Sequence, residues 1–323
     1  MEQLFSYISI PFGAILFLLY GLTEEYLLSL FILTFVVRLL MVPSAVKQQK
    51  NQAKQLRLQA KVQKIRTKYA SLPQREAQAK IQQETQELYQ REGFSATAGG
   101  CMPLFIQMFV MMGLYGAIYS PLSMVLRISE EHIAHFTEIC NNLGLIGTNG
   151  RVELAILGNF DKIIPELDPA VYGDVIEKIS VFIEKFTIFG MDLTAYPDTF
   201  LAEGGDWRLI LIPVLSGVTA MLSSILMYLR QRKTNPEMAK NPSMGCMTFM
   251  SPLMSAYFSY KFSAGVGVYW IISNILTFIQ TLILNQIYKP EKVIAMSMID
   301  ETVERRSKEN SIKLRAKQIA DEQ

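Results

Sequence analysis

The chain has 323 residues, of which half are hydrophobic, and it carries a net charge of +2 with a mean hydropathy of +0.22. A soluble domain of this length would carry more charge and would interrupt its apolar segments, so the composition excludes that class and predicts an integral membrane protein. Two of the three cysteines, Cys101 and Cys246, fall at the cytoplasmic ends of predicted spans and Cys140 stands alone in an outer connection, so we expect no disulfide framework.

The N-terminal segment, residues 1–25, contains an apolar run from Ile8 to Leu22. A bilayer core about 30 Å thick needs about 20 apolar residues in a helix. This run is shorter and is interrupted by Pro11 and Gly13. We therefore predict a helix that lies in the extracytoplasmic interface of the membrane, with a sixth span as the alternative. The segment lacks a basic start and a small-residue cleavage site, so we expect no removable signal peptide.

Five later segments are long and apolar enough to cross the membrane as helices. In chain order they are residues 26–46, 99–122, 207–229, 244–262 and 266–288. The sequence thus predicts an all-α integral membrane protein built as a five-span helical bundle.

The first span contains one charge, Arg38, within the stretch FILTFVVRLLMVP. A charge at the centre of a span costs about 2.5–3.5 kcal/mol on insertion scales. Snorkelling to the inner surface is one alternative, but about eight residues, or roughly 12 Å of helix, separate Arg38 from that end. We therefore predict that Arg38 faces a wet, polar interior of the bundle.

The connection between the first two spans, residues 47–98, is rich in Gln, Lys, Arg, Glu and Ala, which favour helix. Its one break falls at SLPQ, Ser71–Gln74. The pattern predicts a hairpin of two antiparallel helices. Such a hairpin would serve either as a solvated spacer or as a contact arm for a cytosolic partner.

The distribution of charge predicts the orientation of the protein. Positive charge is concentrated in residues 47–98, in the short connection 230–243 and in the tail 289–323, whereas the long connection 123–206 is acidic. Because basic loops stay in the cytoplasm, we predict that the N-terminus lies outside and that the hairpin and C-terminus are cytoplasmic. Residues 123–206 would form an extracytoplasmic loop or helical cap of unknown role. The expected partner of the basic side is anionic inner-leaflet lipid, and no nucleic-acid recognition is expected.

Four of the spans carry polar side chains, several of them at helical spacing. Such side chains are costly against lipid, so we predict that they meet around a hydrophilic cavity together with Arg38. Packing of small residues and interhelical hydrogen bonds are the alternative. The predicted lining consists of Thr34, Gln107, Ser216, Thr219, Ser223, Asn274 and Thr277.

Methionines are abundant in the second and fourth spans. Methionine is flexible and polarisable, so a methionine face adapts to many apolar partners and would suit a slide for the transmembrane segments of a substrate. The alternative is that these methionines simply face lipid and contact no substrate. The predicted slide comprises Met108, Met111, Met112, Met250 and Met254.

The sequence shows no pattern typical of an enzyme. It offers no nucleophile–base pair, no Gly-rich phosphate loop and no carboxylate dyad. The two histidines, His132 and His135, stand beside Glu131, and we interpret them as part of a solvated helix rather than as a metal site. We therefore predict no enzymatic activity, no cofactor and no metal.

The order of motifs along the chain carries a family resemblance. After the Arg38 span and the basic hairpin come GGCMPLFIQMFVMMGLYGAI and, later, NPSMGCMTFMSPLMSAYFSYKFSAGVGVYWIISN. This order resembles the YidC family of membrane protein insertases, in the Gram-positive style without a large N-terminal extracytoplasmic domain. The sequence departs from the family in two places. SATAGGCMP lacks the Asn-Pro that often precedes the Gly-Cys, and the 123–206 connection is long.

The resemblance implies an insertase and chaperone that inserts short-tailed membrane proteins through a hydrophilic intramembrane groove, with Arg38 among the groove residues. Trp270 is a further predicted groove residue, and an interfacial aromatic belt is the alternative for it. The resemblance also implies a multi-pass protein of the bacterial plasma membrane that acts on nascent membrane proteins, with the ribosome and the general secretion channel as further candidate partners. We expect a monomer. The other hypotheses are a small-solute or anion transporter, which should show an internal repeat, and an assembly factor without insertion activity.

Overall fold

The computed structural model describes residues 2–92, 102–146, 151–199, 205–234 and 242–321, and almost all of its secondary structure is helical. The N-terminal helices are α1 (Glu2–Thr23), α2 (Tyr26–Leu40), α3 (Val42–Lys68), α4 (Gln74–Arg91) and α5 (Met102–Tyr119). The middle elements are α6 (Pro121–Met124), α7 (Glu130–Asn142), α8 (Val152–Gly158), α9 (Phe160–Ile163), α10 (Pro169–Lys185), β1 (Thr187–Ile188) and β2 (Met191–Asp192). The C-terminal helices are α11 (Leu211–Thr234), α12 (Pro242–Lys261), α13 (Ala264–Ile287) and α14 (Pro290–Asp321). Short 3₁₀ turns occur at Ile164–Glu166, Pro197–Thr199 and Trp207–Ile210.

The chain divides into two compact units. The larger unit comprises Met1–Met41 and Leu104–Gln280, and the smaller unit comprises Val42–Pro103 and Thr281–Gln323.

Apolar helices of membrane-spanning length support the predicted all-α membrane class. Within the described residues, Trp207–Arg230 and Ala264–Ile287 meet the length and composition of a span, and Tyr26–Leu40 with Val42–Asn51 meets it as a broken pair. That makes two spans, or up to three. Phe109–Tyr119 is a shorter apolar helix. Since the predicted spans 99–122 and 244–262 both include side chains outside the described part, the count of five stays a prediction.

Helices α11 and α12 of the larger unit run antiparallel in close contact. Ser216 lies opposite Ser255, and further along the pair the rings of Tyr228 and Phe249 are 6.0 Å apart. A Cβ added at Gly217 would lie 3.1 Å from the Cβ of Ala256. Small residues at a helix interface let backbones approach closely, which is how membrane helices gain packing energy without a hydrophobic drive between them.

The described residues between α5 and Trp207 form a mostly helical region that we call the cap. Its core is aliphatic and aromatic, with Phe136, Phe160 and Phe182 among its buried side chains. Two short strands in the cap, which the sequence did not predict, pair antiparallel with Ile188 opposite Met191.

The cap is joined to the start of the first predicted span through aromatic packing. Tyr26 is buried, and its ring lies 5.7 Å from that of Phe182 and 4.6 Å from that of Phe186. Buried aromatic pairs at these separations add about 0.5–1.5 kcal/mol beyond the area they bury. The end of α10 is therefore fixed against α2.

The smaller unit contains α3, α4, the end of α13 and α14. Lys68 and Tyr69 both reach Glu84 across the α3–α4 connection, each at 2.6 Å. The hydrogen bond from Lys68 lowers the pKa of the Glu84 carboxyl below its ordinary value, and the bond from Tyr69 adds to the shift. Gln49 donates a hydrogen bond of 2.6 Å to Asn285, which connects α3 to the end of α13. Most described side chains of α4 and α14 are exposed, whereas those of α3 are mostly half-buried.

Candidate functional site

Arg38 lies in the last turn of α2, where its guanidinium is half-buried. It donates a hydrogen bond of 2.5 Å to the hydroxyl of Ser273, a buried residue of α13. A cation in the last helical turn is favoured by the negative end of the helix dipole, which offsets part of the cost of placing charge there.

No carboxylate among the described residues lies within ion-pair distance of Arg38. A guanidinium has five N–H donors in a fixed fork geometry. The bond to Ser273 uses one of them. Within the described part of the chain no other acceptor bonds to Arg38, so there its remaining donors are available to water or to an anionic group, which the fork is shaped to bind.

Two threonines of the predicted groove satisfy their hydroxyls within their own helices. Thr34 is buried and donates to the Leu30 carbonyl at 2.6 Å. Thr277 is half-buried and donates to the Ser273 carbonyl, also at 2.6 Å. Such back-bonding makes a polar residue tolerable in an apolar environment, and it leaves each hydroxyl oxygen free to accept.

Three other predicted groove residues, Ser216, Thr219 and Asn274, meet in a buried polar cluster between α11, α12 and α13. The Ser216 hydroxyl lies 2.7 Å from that of Ser255 and accepts a bond of 2.8 Å from Ser259. The Asn274 amide donates to the Ser216 carbonyl at 3.1 Å and to the Ser255 hydroxyl at 3.2 Å. In this arrangement the cluster holds three helices together.

Two more predicted groove residues present buried polar atoms that have no hydrogen-bond partner within the described part of the chain. They are the hydroxyl of Ser223 and the indole nitrogen of Trp270. The Trp270 ring packs 5.6 Å from that of Phe258. A buried polar group without a partner costs about 1–3 kcal/mol, so water or a ligand at these atoms would be stabilising. The side chain of Gln107 lies outside the described residues.

The predicted methionine slide divides between two helices. Met250 and Met254 on α12 are 49 % and 46 % exposed, and Leu253 beside them is also exposed. Met111 and Met112 on α5 are half-buried. The side chain of Met108 lies outside the described residues. The α12 methionines thus belong to an apolar face open to the surroundings of the larger unit.

The predicted groove did not include Ser273, the direct partner of Arg38, or two of the five residues of the polar cluster, Ser255 and Ser259. Ser255 and Ser259 are four residues apart on one helix, a spacing that does predict a shared face. Ser273 gave a weaker signal, since it precedes the more conspicuous Asn274. Tyr269, one turn before Ser273, is buried close to the Arg38 charge and is a further missed neighbour.

Apolar helices of spanning length define the class as a multi-pass membrane protein, and its half-buried Arg38 bonds to Ser273 of one such helix. Comparison with known families then identifies it further: the chain belongs to the 60Kd inner membrane protein family, whose model matches residues 18–292. The match includes Arg38, the polar cluster and the cap, and it confirms the resemblance to YidC proteins.

Similar proteins are named as membrane protein insertases. The chain is 25 % identical over 280 residues to membrane protein insertase YidC 2 of Listeria innocua, covering 86 % of this chain and 71 % of that protein. It is 25 % identical over 280 residues to membrane protein insertase MisCA of Bacillus subtilis, covering 86 % and 78 %. It is 24 % identical over 272 residues to membrane protein insertase YidC of Parabacteroides distasonis, covering 84 % of this chain but 34 % of that protein.

Proposed function

We propose that this protein is a membrane protein insertase. The observation that carries the proposal is Arg38, a half-buried cation hydrogen-bonded to Ser273 and without a carboxylate partner in the described part of the chain. An unpaired intramembrane charge is expensive, and such residues mark sites for substrates or ions. The names of the relatives favour a polypeptide substrate.

In this proposal a short hydrophilic tail of the substrate enters a groove beside Arg38. The guanidinium replaces part of the hydration of the tail, and an acidic tail benefits most because the fork matches a carboxylate. The membrane potential, about 2.3 kcal/mol per elementary charge per 100 mV, then draws the acidic tail outward. The apolar segment of the substrate passes along the exposed face of α12 at Met250 and Met254 into lipid.

The proposal includes the topology predicted from the charges. The bundle has five spans, with the N-terminus outside and α3, α4 and α14 in the cytoplasm. The protein lies in the bacterial plasma membrane as a monomer, and its basic side contacts anionic inner-leaflet lipid. Nascent membrane proteins are its substrates, and the ribosome and the general secretion channel are candidate partners on the side of α3 and α14. The chemistry needs no cofactor.

Insertion by the purified protein in otherwise empty liposomes tests the proposal. The substrate is a single-span protein with a short acidic tail, and protease protection of that tail is measured with and without an imposed membrane potential. We expect protection above that of protein-free liposomes, and more of it with the potential. A folded, correctly oriented sample that gives no protection would contradict insertion. If it also retained membrane subunits on co-purification, it would point instead to an assembly factor.

A further inference from the structure

The turn between β1 and β2 places an aromatic ring where one is rarely found. Phe189 and Gly190 form the two-residue connection, and both have positive φ, 50° and 74°. Hairpin turns with two positive φ values favour Asn-Gly or Gly-Gly, because side chains with a bulky Cβ substituent are strained there. The Phe189 side chain is nevertheless 88 % exposed. Strained backbone conformations cluster at functional sites, and this one presents an exposed apolar ring that is available for a contact outside the chain.

Arg208 fixes this turn to the beginning of a membrane span. Its guanidinium donates to the carbonyls of Phe189 at 3.2 Å and of Gly190 at 3.3 Å. The same guanidinium is oriented by Asp206, whose carboxylate accepts from Arg208 Nε at 3.0 Å. The turn is therefore tied to the residue that follows Trp207.

Trp207 shows where this turn lies relative to a bilayer. It is the first residue of the apolar segment Trp207–Arg230, and its side chain is 68 % exposed. Tryptophan at the end of a span is typical of the headgroup region, where its apolar body and polar N–H are both accommodated. Since Arg208 bonds to the turn, the Phe189 ring belongs at the same membrane depth.

We propose that Phe189 and Trp207 form an aromatic anchor that inserts the β1–β2 turn into the interface of the leaflet in which the Trp207–Arg230 span begins. The ligand is the boundary between phospholipid headgroups and acyl chains, which binds the apolar faces of such rings. Charge attraction is not the source of binding, because Asp206 neutralises Arg208, the cation that bonds to the turn. The anchor holds the cap against the membrane. It does not depend on the proposed function, because it requires only that this segment spans a bilayer.

Tryptophan fluorescence in reconstituted vesicles tests the anchor directly. The full chain has two tryptophans, so Trp270→Phe leaves Trp207 as the sole emitter. A second protein combines Trp207→Phe and Trp270→Phe with Phe189→Trp. A third combines the same two replacements with Val171→Trp, a matched control, since Val171 is a 65 % exposed apolar residue at the other end of α10. Each protein is reconstituted into vesicles of brominated phosphatidylcholine. In one lipid the bromine atoms lie near the headgroup end of the acyl chains, and in the other they lie near the bilayer centre.

We expect the emitters at Trp207 and at Phe189→Trp to be blue-shifted and quenched more by shallow bromine than by deep bromine. The emitter at Val171→Trp should instead be quenched by aqueous iodide. Adding anionic phosphatidylglycerol should leave the quenching at Phe189→Trp unchanged. In the second protein, Arg208→Gln should reduce quenching at Phe189→Trp, because the bonds to the turn are lost. In the first protein, the same change should leave Trp207 quenched.

Several outcomes would overturn the anchor. If iodide but not bromine quenched Phe189→Trp, the turn would lie in water. The exposed ring would then be a contact for a protein partner rather than for lipid. If bromine quenched Val171→Trp as strongly as Phe189→Trp, the whole cap would lie on lipid and the β1–β2 turn would have no special role as an anchor. Phe189→Cys, labelled with an environment-sensitive dye in a chain that keeps both tryptophans, gives an independent reading. A water-like emission of that dye in vesicles would likewise contradict insertion.

Discussion

Ser273 and Asn274 are neighbours on α13, yet they bond to different parts of the larger unit. Ser273 accepts a hydrogen bond from Arg38 of α2, whereas Asn274 donates to Ser216 of α11 and Ser255 of α12. Successive helix residues point about 100° apart, so one short stretch presents two faces. The charged site and the polar cluster that packs the bundle are therefore adjacent but separable by mutation.

Replacing Arg38 by alanine should impair insertion selectively. A hydrogen bond to a charged group contributes about 1.5–3 kcal/mol, so we expect insertion of an acidic-tailed substrate to fall by about tenfold or more. A substrate with an uncharged tail should be affected much less. The measurement is protease protection of both tails in the same vesicles. Arg38→Lys is the matched control, since it keeps the charge but loses the fork geometry, and it should retain part of the activity. If insertion of both substrates fell equally, Arg38 would not act by recognising the charge of the tail.

The two neighbours on α13 should give opposite results when each is replaced by alanine. Ser273→Ala removes the hydrogen-bond partner of Arg38 and should change insertion of acidic tails with little effect on thermal unfolding in detergent. Asn274→Ala removes interhelical hydrogen bonds, which in membranes are worth about 0.6 kcal/mol each and up to about 1.7 kcal/mol. It should lower the unfolding temperature. If Ser273→Ala were the more destabilising of the two, the division of roles between these residues would be wrong.

Two glycines test how closely the helices approach. A Cβ at Gly267 of α13 would overlap the Cγ2 atom of Ile212, a buried residue of α11. Gly267→Ala should therefore destabilise the protein by about 1–3 kcal/mol, the usual cost of overpacking. A Cβ at Gly173 of α10 would enter open space, with no atom from another part of the chain within 4 Å. Gly173→Ala should therefore stabilise its helix by about 0.5–1 kcal/mol. The measurement is the free energy of unfolding of both variants. Equal changes in that free energy would contradict the close contact at Gly267.

Glu153 should make the stability of the cap depend on pH. Its carboxylate accepts from the backbone N–H groups of Leu122 and Ser123 at 2.7 and 3.0 Å, at the start of α6. Burial raises the pKa of this carboxyl above its ordinary value, and the hydrogen bonds from Ser123 and Leu122 lower it by less. At a pH between the ordinary and the raised pKa, Glu153 is therefore largely protonated in the folded cap and largely ionised in the unfolded chain. Between the ordinary and the raised pKa, stability should fall as pH rises.

Amide hydrogen exchange at Leu122 and Ser123 measures this effect, once the intrinsic pH dependence of exchange is subtracted. Protection should decline through the window above the ordinary carboxyl pKa. Glu153→Gln carries no titratable proton there and should show a flat profile. A variant profile with the same slope as the original protein would assign the titration to another group.

The sequence by itself determined the membrane class, the isolated charge at Arg38 and the family, because apolar length, charge and motif order are properties of the chain read locally. It also predicted the break between α3 and α4, where Ser71–Gln74 interrupts a helix-favouring composition. These features do not depend on which helices become neighbours.

Only the tertiary structure decided which polar groups meet. Helices pack closely at glycines such as Gly217 and Gly267, and such packing restricts how each helix can rotate about its axis. That rotation placed Ser273 beside Arg38 and directed Ser216 toward Ser255 and Asn274. The strand turn at Phe189 likewise depends on Arg208, a residue distant in sequence, so no local pattern could have indicated it.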